Sequence, residues 1–177
     1  MSQCRGRGWN SRSLLSLSLV PHLGALPPRH GRLFLGNAMT DNLTDADIAR
    51  ILTSVKTIAV VGWSPRPDRP SHRVAQFLAA RGYRVIPVNP GQAGSAAPWG
   101  EPVRATLDEA GPVDMVDIFR RSEEAGAVAD AAVGLGARVV WMQLGVEDAA
   151  AAARARAAGV AVVMNRCPAI EIPRLGL

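Results

Sequence analysis

A single lysine, Lys56, stands among 177 residues, and there are only two cysteines, Cys4 and Cys167. Thiols so far apart form neither a disulfide framework nor a metal-type cluster, which fits a reducing, cytoplasmic compartment. No apolar run approaches the roughly 18 residues that a membrane span needs, so no membrane partner is expected. Gly-Lys-Ser/Thr occurs nowhere and Lys56 precedes the first strand, so a Walker-type phosphate loop is excluded.

Balanced charge is missing from one end only. Residues 1–38 hold Arg5, Arg7, Arg12, Arg29 and Arg32 with no acid, whereas from Met39 onward 15 basic and 15 acidic side chains cancel. The net charge of +5 therefore says little about what the domain binds, and nucleic acid is not expected. The apolar patch in residues 14–20 is interrupted by serines and followed by Pro21-His22, unlike a secretory signal. An Arg- and Ser-rich, acid-poor composition matches a transit peptide. We read residues 1–38 as a disordered or mis-started extension, because Met39-Thr40-Asp41 leads straight into helix-start chemistry. Residues 39–177 are then the folded domain.

Thr44 is placed to cap a helix with Asp45 and Asp47 in its first turn and Ile48, Ile51 and Leu52 on one face. Thr57-Ile58-Ala59-Val60-Val61 reads as a buried strand, followed by a structured loop over residues 62–70. A helix over 71–81 carries Val74, Phe77 and Leu78 on one side and stops at Gly82. Arg84–Val88 is the second strand. Residues 91–98 read as a loop, 99–104 as a short edge strand and 106–109 as a helical turn. Further strands are expected over 113–119, 138–142 and 160–164, with helices over 123–135 and 146–158. Asn165-Arg166-Cys167-Pro168 and a short tail end the chain.

Strand and helix alternate, and the strands are continuous apolar runs, the mark of a parallel sheet covered on both faces. The expected fold is one α/β domain, a doubly wound, mostly parallel Rossmann-like sheet without internal repeats. In such sheets ligands lie beyond the carboxyl ends of the strands. The candidates are therefore Gly62-Trp63-Ser64, Asn89-Pro90, Phe119-Arg120-Arg121-Ser122, Gln143-Leu144-Gly145 and Asn165-Arg166-Cys167-Pro168. Arg66, Arg69, Arg73, Arg120, Arg121 and Arg166 are expected along one rim, which suits a ligand with several phosphates. NAD is disfavoured twice. Gly62-Trp63-Ser64 lacks the second glycine of Gly-x-Gly-x-x-Gly, and Asn89 stands where an acid would grip the ribose diol. An NADP-dependent oxidoreductase is the alternative in which arginines hold a 2′-phosphate, and it needs the same missing fingerprint.

Val61-Gly62-Trp63-Ser64, Asp68-Arg69-Pro70-Ser71 and the run from Gly82 to Pro90 together resemble the small stand-alone CoA-binding proteins. Their fold is similar to the CoA-binding domain of the succinyl-CoA synthetase α chain. The likeness continues through Val116-Asp117-Ile118-Phe119-Arg120-Arg121, Trp141-Met142-Gln143-Leu144-Gly145 and Asn165-Arg166-Cys167-Pro168-Ala169-Ile170-Glu171, spanning about residues 44–174. It implies a domain that holds coenzyme A or an acyl-CoA. By position, Gly62, Trp63, Ser64, Arg69, Pro70 and Ser71 would line the pyrophosphate end. Val88, Asn89 and Pro90 would flank the nucleotide, with Ile118, Phe119 and Arg120 opposite. Gln143, Asn165, Cys167 and Pro168 complete the expected set.

Trp63 departs from that family, which usually has a small residue there; stacking on adenine and narrowing of the pocket are both open. His72 reads as a bystander, Cys167 as a buried, inert thiol, Trp141 and Met142 as core, and Glu171 as an arginine partner or a surface residue. No nucleophile–base pair and no metal cluster is visible. A carrier, sensor or regulatory module is thus expected, not an enzyme, with docking on a separate acyl-CoA-handling enzyme as a further possibility.

Overall fold

The structure, a computed structural model, describes residues 43–177; the extension expected over residues 1–38 lies outside the described residues. Thr44 caps α1 (Asp45–Ser54) as its sequence predicts. The Asp47 N–H donates to the Thr44 hydroxyl at 3.2 Å, and the Asp47 carboxylate accepts from the Thr44 N–H at 3.0 Å. This reciprocal pair satisfies two donors that a helix start otherwise leaves open. Ile48, Ile51 and Leu52 are buried.

The strands β1 (Thr57–Val61), β2 (Arg84–Val88), β3 (Met115–Ile118), β4 (Val139–Met142) and β5 (Ala161–Val163) form one sheet. Its order is β2-β1-β3-β4-β5 and every pairing is parallel. The helices are α2 (Pro70–Ala80), α3 (Ser122–Gly134), α4 (Ala149–Ala157) and α5 (Pro168–Arg174). Residues of α1, α2 and α5 share one core with Ile58, Val60, Met115 and Trp141. Residues of α3 and α4 share the other with Ala59, Val116, Val140 and Met142. Successive strand residues thus feed opposite cores, which is why the strands are largely apolar, with Asp117 of β3 a buried exception. This is the doubly wound Rossmann-like α/β fold, all-parallel where a mostly parallel sheet was expected.

Alanine sets the thickness of the second layer. Ala125, Ala129 and Ala132 of α3 and Ala151, Ala152 and Ala155 of α4 are all fully buried. The two helices come so close that a Cβ on Gly126 would lie 2.5 Å from Oδ2 of Asp148. Asp148 caps α4 by accepting from the Ala151 N–H at 2.9 Å, so this helix starts at Ala149 and not at residue 146. At the amino ends of the strands, Asp114 accepts from the Lys56 and Thr57 N–H groups at 2.8 and 3.0 Å and pairs with Arg138 at 2.9 Å. Burial pushes the Asp114 carboxyl upward, but these bonds outweigh it and leave its pKa lowered.

Two segments differ from expectation. Residues 99–104 form no strand; the segment makes one-residue bridges, Ala96 to Pro102 and Arg104 to Val88, the latter parallel to the edge of β2. The supposed tail after Pro168 is the helix α5. Its two prolines, Pro168 and Pro173, read as breakers in the sequence, yet proline at the first helical position costs no hydrogen bond. Among the described residues no helix is long and apolar enough to cross a membrane.

Candidate functional site

From β1 the chain goes to β2 on one side and then returns to β3 on the other, so the strand order reverses between β1 and β3. Gly62 is the residue that lets the two strand ends close up there. Its φ is +88°, and a Cβ on it would stand 2.4 Å from the Phe119 carbonyl oxygen. Glycine is required on both counts.

A cleft of about 290 Å³ opens beside this point. Val61, Gly62 and Val88 line its base, Asn89 and Pro90 one end, and the segment Ala105-Thr106-Leu107 one side. Ala127, Val128 and Ala131 of α3 form a small-residue wall, and Arg120 is the one charged lining residue among the described residues. Arg120 is half-exposed and bonds Glu124 at 3.2 Å, a surface pair weak enough to be exchanged for a ligand anion.

Asn89 holds the rim together. Its Nδ2 donates to the Trp63 carbonyl at 2.6 Å, and its Oδ1 accepts from the Gly91 N–H at 2.9 Å. The Gly62 N–H also donates to the Val88 carbonyl at 3.0 Å. These bonds fix the loop after β1 to the end of β2.

Comparison with known proteins places the whole domain in a family. Residues 56–173 match the family model for the CoA binding domain. The chain belongs to the CoA-binding domain family. An uncharacterized protein of Bacillus subtilis (strain 168), YneT, is 39% identical over 126 residues, covering 71% of this chain and 92% of that protein. The chain is also similar to the solved structure of a hypothetical protein from Pyrococcus horikoshii OT3, with a TM-score of 0.72 and 36% identity over 77% of this chain and 95% of that one. A Thermus thermophilus structure gives a TM-score of 0.71 and 35% identity, covering 75% of this chain and 99% of that chain.

The residues singled out in the sequence distribute unevenly around the cleft. Gly62, Val88, Asn89, Pro90 and Arg120 line the cleft. Ser64, Arg69, Pro70 and Ser71 lie on the neighbouring loop and the first turn of α2. The Ser64 hydroxyl accepts from the Arg66 N–H at 3.3 Å, a turn contact. Arg69 is exposed at the helix start, where anions are favoured, and Ser71 is buried. Ile118 is core, and Phe119 packs against the opposite core.

The Trp63 indole is 1% exposed and does not line the cleft. It stacks on His72 with ring centroids 6.0 Å apart and meets Trp99 edge-on at 6.1 Å. Its Nε1 has no hydrogen-bond partner. His72 is itself buried, with Nδ1 3.1 Å from the Ser64 carbonyl.

Gln143, Asn165, Cys167 and Pro168 lie at the ends of β4 and β5. Gln143 Nε2 donates to both oxygens of Asp117, at 2.9 and 3.1 Å. Complete burial pushes the Asp117 carboxyl up to about 7, and Gln143 only partly opposes this. Asn165, at φ +54°, accepts from the Gly145 N–H at 2.9 Å and so joins the two loops. Cys167 is buried, and burial pushes its thiol pKa up, the direction of an unreactive thiol. Glu171 is buried rather than on the surface, bonded to Arg174 and 3.6 Å from Arg166.

The arginine rim is thinner than expected. Arg66 forks onto Asp68 at 2.9 and 3.2 Å, Arg73 donates to the Asp68 carbonyl, and Arg121 pairs with Glu124. Sequence reasoning missed residues 105–107 and the α3 wall. Ala127 and Ala131 are four apart and exposed, a small-residue stripe that the sequence does show. Residues 105–107 carry no such signal, since the bridge between Arg104 and Val88 places them.

Proposed function

We propose that this protein binds coenzyme A or an acyl-CoA in the cleft between β1, β2 and α3, acting as a carrier, sensor or regulatory module and not as a catalyst. The observation that carries this reading is the position of the cleft. It lies at the reversal of strand order, against the tight glycine contact, in a chain of the CoA-binding domain family. Its volume of about 290 Å³ is at the small end for ligand pockets. It suits one part of the ligand, a base with its ribose, against the apolar wall of Ala127, Val128 and Ala131. Arg120, Arg69 and the amino end of α2 are the groups for the phosphates. The acyl or thiol arm then extends along the loops that follow the strands.

Membership of the family supports a small-molecule CoA ligand. Native mass spectrometry of the full chain tests the ligand: it should carry a mass shift with CoA and none with NAD at the same concentration. Equal shifts with both, or none with either, would sink the proposal.

Leu144 and Ile170, 56% and 52% exposed at the carboxyl rim, favour a second role, docking on an enzyme that handles the acyl-CoA. Co-purification of such an enzyme that is lost in a Leu144→Ser, Ile170→Ser double variant would support it.

A further inference from the structure

Arg104 has no role in the site as the sequence presents it, fifteen residues beyond Asn89 and on the far side of a glycine-rich loop. The structure brings the two together. The Arg104 N–H donates to the Pro87 carbonyl and the Asn89 N–H donates to the Arg104 carbonyl, both at 2.9 Å, making Arg104 the parallel bridge partner of Val88. Partners in a parallel bridge direct their side chains to the same face of the sheet. Val88 lines the cleft, so Arg104 stands on the cleft's face, one strand spacing further out. Ala105, Thr106 and Leu107, which follow it, form the cleft's side.

Arg104 adjoins the cleft through Ala105 without itself lining it, and among the described residues its guanidinium has no carboxylate partner. No ion pair among them involves Arg104, and its Nε is buried with no hydrogen-bond partner. A buried donor left open is costly, and a cationic one more so. Every other arginine named around this rim except Arg69 is paired with an acid or a carbonyl.

The end of β2 is where an open α/β sheet meets the ribose of a bound nucleotide. A carboxylate there grips a free diol, whereas an arginine takes a phosphate ester on the ring. This chain has Asn89 at that point and, beside it through the bridge, Arg104.

We propose that Arg104 is the specificity-determining residue for a phosphate ester on the ribose, the group that distinguishes coenzyme A from its dephospho form. This rests on the coenzyme reading and deepens it. Arg120, at the β3 side of the cleft, is separated from Arg104 by the β1 and β2 strand ends. The two cations thus serve different phosphates, Arg104 the one on the ring and Arg120 the diphosphate side.

The test is isothermal titration of the full chain and of Arg104→Gln and Arg104→Lys with CoA and with 3′-dephospho-CoA. The wild type should prefer CoA. R104Q should lose about ten- to hundredfold for CoA and change less than about twofold for dephospho-CoA, with R104K between them. The ratio of the two affinities is unmoved by a merely structural defect, and R104K keeps the test in hand should R104Q fold poorly. Equal wild-type affinity for the two ligands, or equal losses for both in the variants, overturns the role of Arg104 and leaves the coenzyme reading standing. A wild type that binds neither ligand overturns both.

Discussion

A methyl group on Gly62 would come within 2.4 Å of the Phe119 carbonyl oxygen. Two neighbouring strands therefore end closer together than any other residue allows, and the cleft opens beside that contact. The consequence is measurable. Gly62→Ala combines a backbone at φ +88° with a clash against main chain that cannot move aside. It should cost about 2–4 kcal/mol of stability. The readout is urea unfolding, with the midpoint lowered and the slope unchanged.

Its chain neighbour behaves differently. Trp63 is core and not cleft, so Trp63→Leu should destabilise the domain by about 2–4 kcal/mol. The loss is tempered by removal of the orphaned Nε1. CoA affinity should stay within about threefold. A variant of near-normal melting temperature that loses affinity more than tenfold would mean that the indole stacks on the base.

Asp117 gives a pH signature. Its folded pKa is raised to about 7 by burial, above the ordinary value near 3.9 for an unfolded aspartate. The sign follows from proton counting: between those values the folded protein holds a proton that the unfolded chain has released. Its contribution is fully present below about pH 4, falls as pH rises toward 7, and is absent above. Asp117→Asn keeps a partner for the Gln143 amide and removes the titration. It should raise stability at pH 8 by on the order of 1–3 kcal/mol and flatten the profile between pH 4 and 7. Thermal unfolding across that range is the measurement, and an unchanged wild-type slope in the variant contradicts it. Asp114, lowered in the fold, contributes in the opposite sense, with stability lost below about pH 4.

Much of the fold was legible because burial on both faces leaves continuous apolar runs, as in Thr57–Val61 and Val139–Met142. Thr44 and Asp47 carried the start of α1 in their own chemistry. α5 was hidden by Pro168 and Pro173, whose helical positions depend on context. Of the site, Gly62, Asn89 and Arg120 follow strands directly and were visible for that reason. Residues 105–107 were not, because the long-range bridge between Arg104 and Val88 places them. Trp63 is the reverse case: it adjoins the loop after β1, yet its indole is buried in the core.

The central claim is that CoA occupies the cleft against α3, and Ala131→Leu tests it most directly. Ala131 is exposed on a helix and lines the cleft, and leucine is nearly as good a helix former as alanine. The substitution should leave the melting temperature within about 2 °C while filling the cleft. Calorimetric titration of the full chain with CoA should then show saturable one-to-one binding in the wild type and at least a tenfold loss in Ala131→Leu. Undiminished CoA affinity in a folded Ala131→Leu variant would place the ligand elsewhere and contradict the account.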